Sequence, residues 1–579
     1  MIRSQIDSKR LFPVLTTILI VLLLPGLAAG MSKGKKAPVL PDDLVKLVPA
    51  DAHGLATSAS PDALDAKLVA LLADPEDPQA EIPSLAGFLQ GLLPDCDACL
   101  ATDQPMAVAM TMPIMMGGDD PLITLIVPWR GDEAQAAGLI EATDFNAMAR
   151  SGDYLALSTD PYYEPPAEVS ALVTDLPVRL LAGRLDLATL FETLRPLAEM
   201  GLGAMIMGAS AAENAQGDPG DGALHPAQPK MSLAEAQALA EVARGVMDSA
   251  RLLELTLDGP DENLVCSASL GVKPDTPLAP GPQPPLVDAV ELTRLLPAHE
   301  PLVEVFNVNK TPLYAKLMDV YRLSMERELD QIEQPLDPAA KAWFAAYFDL
   351  LDMYFKPVAL TGSFSEEGWR MQMAIKSETA AADLDQITEL LDTMPDLGLG
   401  VTMTRQASPV PSIRAWQIDF DPDELAALAA DSTGLPHTDP EELAIMTRMM
   451  SKFMPGFYAT TVDDLLLMSF DRNHDTLLDV IEAAGKRRAA VDPRVARAAE
   501  KAGPACRAVA LGDLGSMLDW IDTIVSEVSR DDASGLFSKG LKLPFVETIS
   551  IDEDTYSMDL SVPETAVKTM IQEIRKLDE

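Results

Sequence analysis

The sequence predicts an α+β fold: two similar halves of mixed or antiparallel sheets covered by helices on one face, related by internal duplication. Three observations predict it. A strand followed by an amphipathic helix recurs four times, a β-hairpin leading into a helix recurs beside it, and a Pro-rich segment separates two stretches of similar length that both carry these units. Hairpins that alternate with helices favour antiparallel neighbours over a doubly wound parallel sheet.

Taken in order, the chain opens with Arg3, Lys9 and Arg10, an apolar run from Leu11 to Leu24, Pro25, and the small-residue exit Ala28-Ala29-Gly30. Charge, apolar core and small residues in that order match a secretory signal, with cleavage expected near Gly30. No Cys follows the apolar core, so a lipid-attachment signal has no acceptor. An uncleaved N-terminal anchor is the alternative, because Phe12 to Ala29 is about long enough to cross a thinned bilayer. No second segment is comparably apolar, so no membrane span is expected in the mature chain.

The first strand-helix unit runs from Gly54-Leu55 through Ser60-Pro61-Asp62 into Leu64, Leu68, Leu71 and Leu72. A second leads from Val178–Ala182 through Gly183 into Leu185, Leu187, Leu190, Phe191, Leu194 and Leu197. A third leads from Leu302–Val308 through Asn309 into Leu313, Leu317, Met318 and Tyr321. The fourth leads from Ala508–Leu511 through Gly512-Asp513 into Leu514, Met517, Leu518 and Ile521. Each spacing places the apolar residues on one helical face, with a turn or capping residue at the junction. Hairpins are expected at 106–112 with 122–128, 252–257 with 264–270, 357–363 with 369–376, and 545–551 with 556–562. The last two lead into helices that open with Glu378-Thr379-Ala380 and Glu564-Thr565-Ala566, an acid and a hydroxyl in the first turn. Two alternating strands end in Ser-x-Asp, at Asp153–Asp160 and Asp464–Asp471, and helices are expected over 233–250 and 441–452.

Lys273 to Leu286 holds six prolines and reads as a stiff extended linker. The predicted organisation is therefore a signal peptide (1–30), an N-terminal α+β half (31–272), a Pro-rich linker (273–286) and a C-terminal α+β half (287–579). Ala209 to Lys230, rich in Gly, Ala and Pro, is expected to be a mobile surface loop. In layout the chain resembles a group of exported bacterial proteins of unknown function. The likeness lies in the signal sequence, the opening Leu47-Val48-Pro49-Ala50-Asp51 before the first strand, the repeated strand-helix-hairpin modules, and the strands ending in Ser-x-Asp. That resemblance implies a fold and an extracytoplasmic address, and brings no catalytic residues.

The formal net charge of −45 repels phosphate backbones, which argues against nucleic-acid partners. The 4 cysteines are too few to frame so long a chain. Cys96 and Cys99 have redox spacing, but they follow a helix and are flanked by Asp95 and Asp97, which would raise a thiol pKa. A structural disulfide or an idle pair is expected, with redox work or metal capture as the alternatives. Asp471, Asn473, Asp475, Asp479 and Glu482 approach a calcium-loop pattern, yet Thr476 stands where the sharp turn needs Gly. A strand end with a helix cap at Asp475 is the simpler expectation. The 5 histidines are scattered without zinc spacing, no nucleophile elbow or phosphate-binding loop occurs, and no cofactor is expected. No carboxylate pair stands out from the acidic background. Methionines bunch at 106–116, 200–207 and 446–454, as core filling or as an adaptable binding surface.

The expected function is that of an exported, periplasmic or secreted, non-enzymatic binding or envelope-interaction protein for an unidentified protein partner or apolar ligand. The alternatives are an exported enzyme, either a thiol oxidoreductase using Cys96 and Cys99 or an acidic-site hydrolase, and a structural envelope component.

Overall fold

In the computed structural model the described residues are 39–578 without 74–81, 83, 94–97, 113–120, 175, 216–230, 260–261, 299, 331–337, 366–367, 395–400, 409, 422–455, 473, 487–489 and 529–536. The predicted signal, the helix over 441–452, and Met115, Met116, Met446, Met449, Met450 and Met454 lie outside them. The fold is α+β, with 14 helices and 18 strands among the described residues. The chain divides into two compact units, residues 1–200 with 245–279 and 549–579, and residues 201–244 with 280–548.

The first unit holds α1 (Asp42–Val45), β1 (Gly54–Ser58), α2 (Pro61–Leu72), α3 (Leu85–Leu92), β2 (Met106–Thr111), β3 (Leu122–Pro128), α4 (Glu133–Ala142), β4 (Ala147–Ser151), β5 (Tyr154–Ser158) and β6 (Leu181–Asp186). After α5 (Leu187–Ala215) and α6 (Leu233–Ser249), both of which the division crosses, come β7 (Ala250–Asp258) and β8 (Asn263–Val272). The strands pair antiparallel in the order β4-β5-β3-β2-β1-β6-β7-β8. Helix α5 extends through Ala215, so the predicted loop begins later than Ala209; its remainder lies outside the described residues.

The second unit holds α7 (Val287–Leu292), β9 (Leu302–Phe306), α8 (Pro312–Asp330), α9 (Pro338–Leu350), β10 (Val358–Ser365), β11 (Gly368–Lys376), α10 (Ala380–Asp392), β12 (Val401–Gln406), β13 (Arg414–Phe420), β14 (Gly456–Val462) and β15 (Leu465–Phe470). Next come α11 (Asp475–Lys486), α12 (Pro493–Ala502), β16 (Cys506–Asp513), α13 (Leu514–Val528) and β17 (Pro544–Ile551), the last of which the division crosses after Thr548. Antiparallel pairing gives β12-β13-β14-β15-β11-β10-β9-β16. The chain ends with β18 (Thr555–Pro563) and α14 (Glu564–Asp578), which belong to the first unit, where β18 extends the sheet beyond β8.

The two orders share a core: β5-β3-β2-β1-β6 in one unit and β15-β11-β10-β9-β16 in the other. The Ser-x-Asp strands occupy matching places. Ser158 faces Thr124 across β3–β5, Ser469 faces Gln372 across β11–β15, and both serines are fully buried.

Packing covers both faces of each sheet, which corrects the expected one-sided cover. Along β9–β11, Val303, Val305, Ala359 and Ala374 pack with α7, α11 and α12, while Val358, Met373 and Ile375 pack with α10 on the opposite side. In the first unit Tyr154 and Ala156 of β5 face one cluster, and Leu155 and Leu157 face the other. A strand enclosed on both faces reads as a continuous apolar run, and Tyr-Leu-Ala-Leu is one. The predicted linker is packed at both ends: Leu278 receives a bond on its carbonyl from the Tyr556 hydroxyl (2.6 Å) in the first unit, and Leu286 joins the core of the second.

Junction chemistry follows the sequence in part. Ser60 caps α2 by accepting from Ala63 N at 2.9 Å, and Asp513 accepts from Gly515 N at 3.0 Å at the head of α13. At the second junction β6 runs on through Gly183 to Asp186, whose carboxylate accepts from Thr189 N and its hydroxyl, 2.9 Å each. At the third, Thr311 accepts from Tyr314 N in place of Asn309. The two Glu-Thr-Ala motifs differ from each other. Thr379 makes no side-chain cap; Ser377, Thr379, Asp383 and Lys356 form a closed network, with Lys356 Nζ donating to Asp383 at 2.6 Å and to Ser377 at 2.8 Å. Glu564 stands in the first turn of α14 as expected, and it also pairs with Lys67.

Candidate functional site

The site lies in the second unit, on the sheet face opposite Val303 and Val305, and is built from β9, β16 and β17. Strand β9 reads Leu302-Val303-Glu304-Val305-Phe306, so alternation places Glu304 on the same face as Leu302 and Phe306. Its register partner on β16 is Ala510. The bond from Leu514 N to Leu543 O (3.1 Å) brings β17 alongside β16. There the Phe545 ring lies over Gly512 so closely that a Cβ at residue 512 would overlap it. Two residues on from Phe545, Glu547 projects from that same face, and two residues back from Gly512 is Ala510. Glu304 and Glu547 thus stand on either side of an alanine, across two strand spacings of roughly 9.6 Å in all. Two Glu side chains reaching inward over a methyl group span that gap.

Glu547 is 6% exposed and Glu304 is half-buried. Neither makes a hydrogen bond or ion pair among the described residues. Burial pushes the Glu547 carboxyl up to about 7, and the charge of Glu304 adds to the rise. Burial likewise holds Glu304 above the ordinary carboxylate range. Such shifts arise when enclosure disfavours the ionised form and no cation offsets it.

Aromatic side chains flank the pair. Four of the chain's 9 tyrosines fall between residues 314 and 354. Phe306 stacks on Tyr354 with ring centres 6.4 Å apart, and Tyr314 meets Phe355 edge-on at 4.7 Å. On α8 and α9, Tyr321 meets Phe348 at 5.5 Å, and Trp343 stacks on Tyr347 at 5.8 Å. Tyr321, Tyr347 and Tyr354 nonetheless remain 52%, 38% and 41% exposed, and Leu317 is exposed with them. Burial chiefly raises the Tyr354 phenol pKa, with the charges of Tyr347 and Glu304 contributing. Tyr354, Glu304 and Glu547 therefore form a file from surface to interior.

The first unit supplies an internal control. In the matching row, Ala56 of β1 pairs with Gly183 of β6, which pairs with Leu255 of β7. The row Glu304-Ala510-Glu547 corresponds to Ala56-Gly183-Leu255, with Ala56 and Leu255 exposed. The strand arrangement does not require acids there. The pair does not stand out in the sequence because Glu304 and Glu547 lie far apart along an acidic chain. The usable signal was an acid on the apolar alternation of both Leu302–Phe306 and Phe545–Ile549.

The residues singled out from sequence are dispersed. Cys99 is buried in the core of the first unit, and Cys96 lies outside the described residues. Asp471 accepts from Arg472 N at 2.6 Å and from the Thr476 hydroxyl, and it lies 3.9 Å from Arg370 Nε. Asp475 begins α11, Asp479 and Glu482 are exposed along it, and Asn473 lies outside the described residues. No group of three or more His, Cys, Asp or Glu side chains is gathered for a metal among the described residues. Of the Met bunches, Met106 is buried, whereas Met200 and Met207 are exposed. A groove of about 430 Å³ in the first unit is lined by Ala63, Ala66, Lys67, Arg179 and Asp258, and both of its cations are already paired. No helix among the described residues is long and apolar enough to cross a membrane.

No protein-family model, curated protein or solved structure matches this chain.

Proposed function

We propose that this is an exported, non-enzymatic binding protein whose second unit holds an apolar ligand or partner against the aromatic face of α8 and α9. One observation carries the reading: Tyr321 and Tyr347 stay exposed within the linked rings of Tyr321, Phe348, Tyr347 and Trp343, with Leu317 exposed on the same helix as Tyr321 and Tyr354 exposed against Phe306, in a chain poor in aromatics. Rings of this kind supply large contact area at little conformational cost, and tyrosine adds a polar tip. The repeated strand-helix-hairpin layout and the N-terminal charge-apolar-small pattern support the binding role and the export.

Trp343, stacked on Tyr347, is the natural reporter. Titration with octanol is expected to change the tryptophan fluorescence saturably, and Tyr321→Ala with Tyr347→Ala to weaken that binding at least tenfold. A linear, unsaturable response, or full binding by the double variant, would remove the proposal. Export is checked separately by fractionating cells that make the whole chain, with the protein expected in the extracytoplasmic fraction.

A further inference from the structure

We propose that Glu304 and Glu547 receive the cationic end of the ligand, a primary ammonium carried on an apolar stem that lies against the aromatic face of α8 and α9. The inference rests on the binding reading above and specifies the chemistry of that site.

Glu304 and Glu547 are a pair of enclosed acids without a counter-charge among the described residues. Three buried acids elsewhere in these two units have cations: Glu254 has Arg184 at 2.6 Å, Asp383 has Lys356 at 2.6 Å, and Asp492 has Arg494 at 2.8 Å. Glu547 is more than nine-tenths enclosed and has none, and its neighbour is another carboxyl. Burying an ionised group without a partner costs several kcal/mol, so such groups persist where something compensates them. The matching row of the first unit does without acids, so the fold is not what retains these two. A bound cation would offset both.

The geometry selects the kind of cation. Two carboxyls without a third protein ligand suit an ammonium, which offers three donors to be shared between them, better than a metal ion. The groups face each other over the methyl of Ala510, so a compact head placed between them could be reached by both. A planar guanidinium is better matched to one carboxylate edge-on. Tyr354 and Phe306 beside Glu304 present ring faces that attract a cation and then accommodate an alkyl stem. Because burial raises both carboxyl pKa values, binding of a cation there should release protons at neutral pH.

Calorimetry on the whole protein at pH 8, where Glu547 is ionised, tests this with octylammonium, octanol and octanoate. Octylammonium is expected to bind at least tenfold more tightly than octanol, and octanoate to bind least. Glu304→Gln and Glu547→Gln should each remove most of the ammonium preference while leaving octanol binding in place. Equal affinity for octylammonium and octanol overturns the inference and leaves the aromatic reading standing, whereas absence of binding by all three overturns both. If a Gln variant fails to fold, the ranking of the three ligands on the unaltered protein still decides. An apolar peptide bearing Lys, compared with its norleucine counterpart, distinguishes a polypeptide source of the ammonium from a small amphiphile. Turnover of an ester or glycoside substrate that disappears in Glu547→Gln would assign the pair to proton transfer and overturn the inference.

Discussion

At the scale of single residues, the energetics of Glu547 are the most accessible to experiment. Its folded pKa of about 7 lies above the value of 4.5 expected for an exposed glutamate. Between these two pH values the folded state therefore holds more protons than the unfolded one, and stability falls as pH rises. The protonated carboxyl contributes fully below about pH 4.5, and that contribution is lost as pH passes through about 7; a shift of this size corresponds to roughly 3 kcal/mol. Thermal unfolding is expected to occur at lower temperature at pH 8 than at pH 5.5, and Glu547→Gln should flatten the dependence. An unchanged pH profile in the variant would place the enclosure of Glu547 in doubt. Asp383 behaves oppositely. Burial opposes its ionisation, but the bonds from Lys356, Ser377 and Thr379 outweigh that and hold its carboxyl below the ordinary range. Its contribution is present above about pH 4 and is lost as pH falls through the lowered value.

At the scale of elements, the close approach of β17 to β16 fixes the distance between the two acids. Gly512→Ala places a methyl group against the Phe545 ring, and the expected cost is about 1–3 kcal/mol, read as a lower denaturation midpoint. Because the ring would be pushed along the strand that carries Glu547, the same variant should also weaken octylammonium relative to octanol. The head of α10 gives a second test. Lys356→Met leaves Asp383 enclosed among hydroxyls without its cation, and a loss of about 1–3 kcal/mol is expected by urea unfolding, larger than for a fully exposed pair. Elements of this kind were well legible in the sequence. Three of the predicted hairpins are paired as expected, both strands of the fourth form on either side of a turn closed by Asp552 N donating to Thr555 O at 2.9 Å, and the four strand-helix units are present, because period-two runs and one-sided helices advertise themselves. Junctions were less legible. Asp186 and Thr311 took the capping roles assigned to Gly183 and Asn309, since a side chain's suitability for a cap does not say where the strand stops. The acid pair could be located only once Leu302–Phe306 and Phe545–Ile549, some 240 residues apart, were known to flank a common strand.

At the scale of the whole molecule, the two units share a strand order and differ in what each has installed in it. The first unit buries Arg184 against Glu254, with Arg184 also donating to the carbonyls of Leu172 and Thr174. In the second unit, Leu511 and Val546 belong to the core instead. That correspondence predicts an asymmetry: Arg184→Leu alone should cost about 3–5 kcal/mol by stranding Glu254, whereas Arg184→Leu with Glu254→Val should recover most of the loss. Chemical unfolding of both variants checks it, and a double variant as unstable as the single would show that the two rows are not interchangeable. The fold class was readable from the sequence because it depends on patterning distributed along the chain. The assignment of residues 549–579 to the first unit was not, because it depends on which edge β18 joins. That edge has a consequence for synthesis. Strand β8 ends at Val272, and the strand that completes its hydrogen bonding begins only at Thr555. A ribosome must therefore deliver nearly 300 further residues while the β8 edge stays open. Assembly of the first unit finishes last, and in that interval a chaperone that shields β8 would have the most to protect.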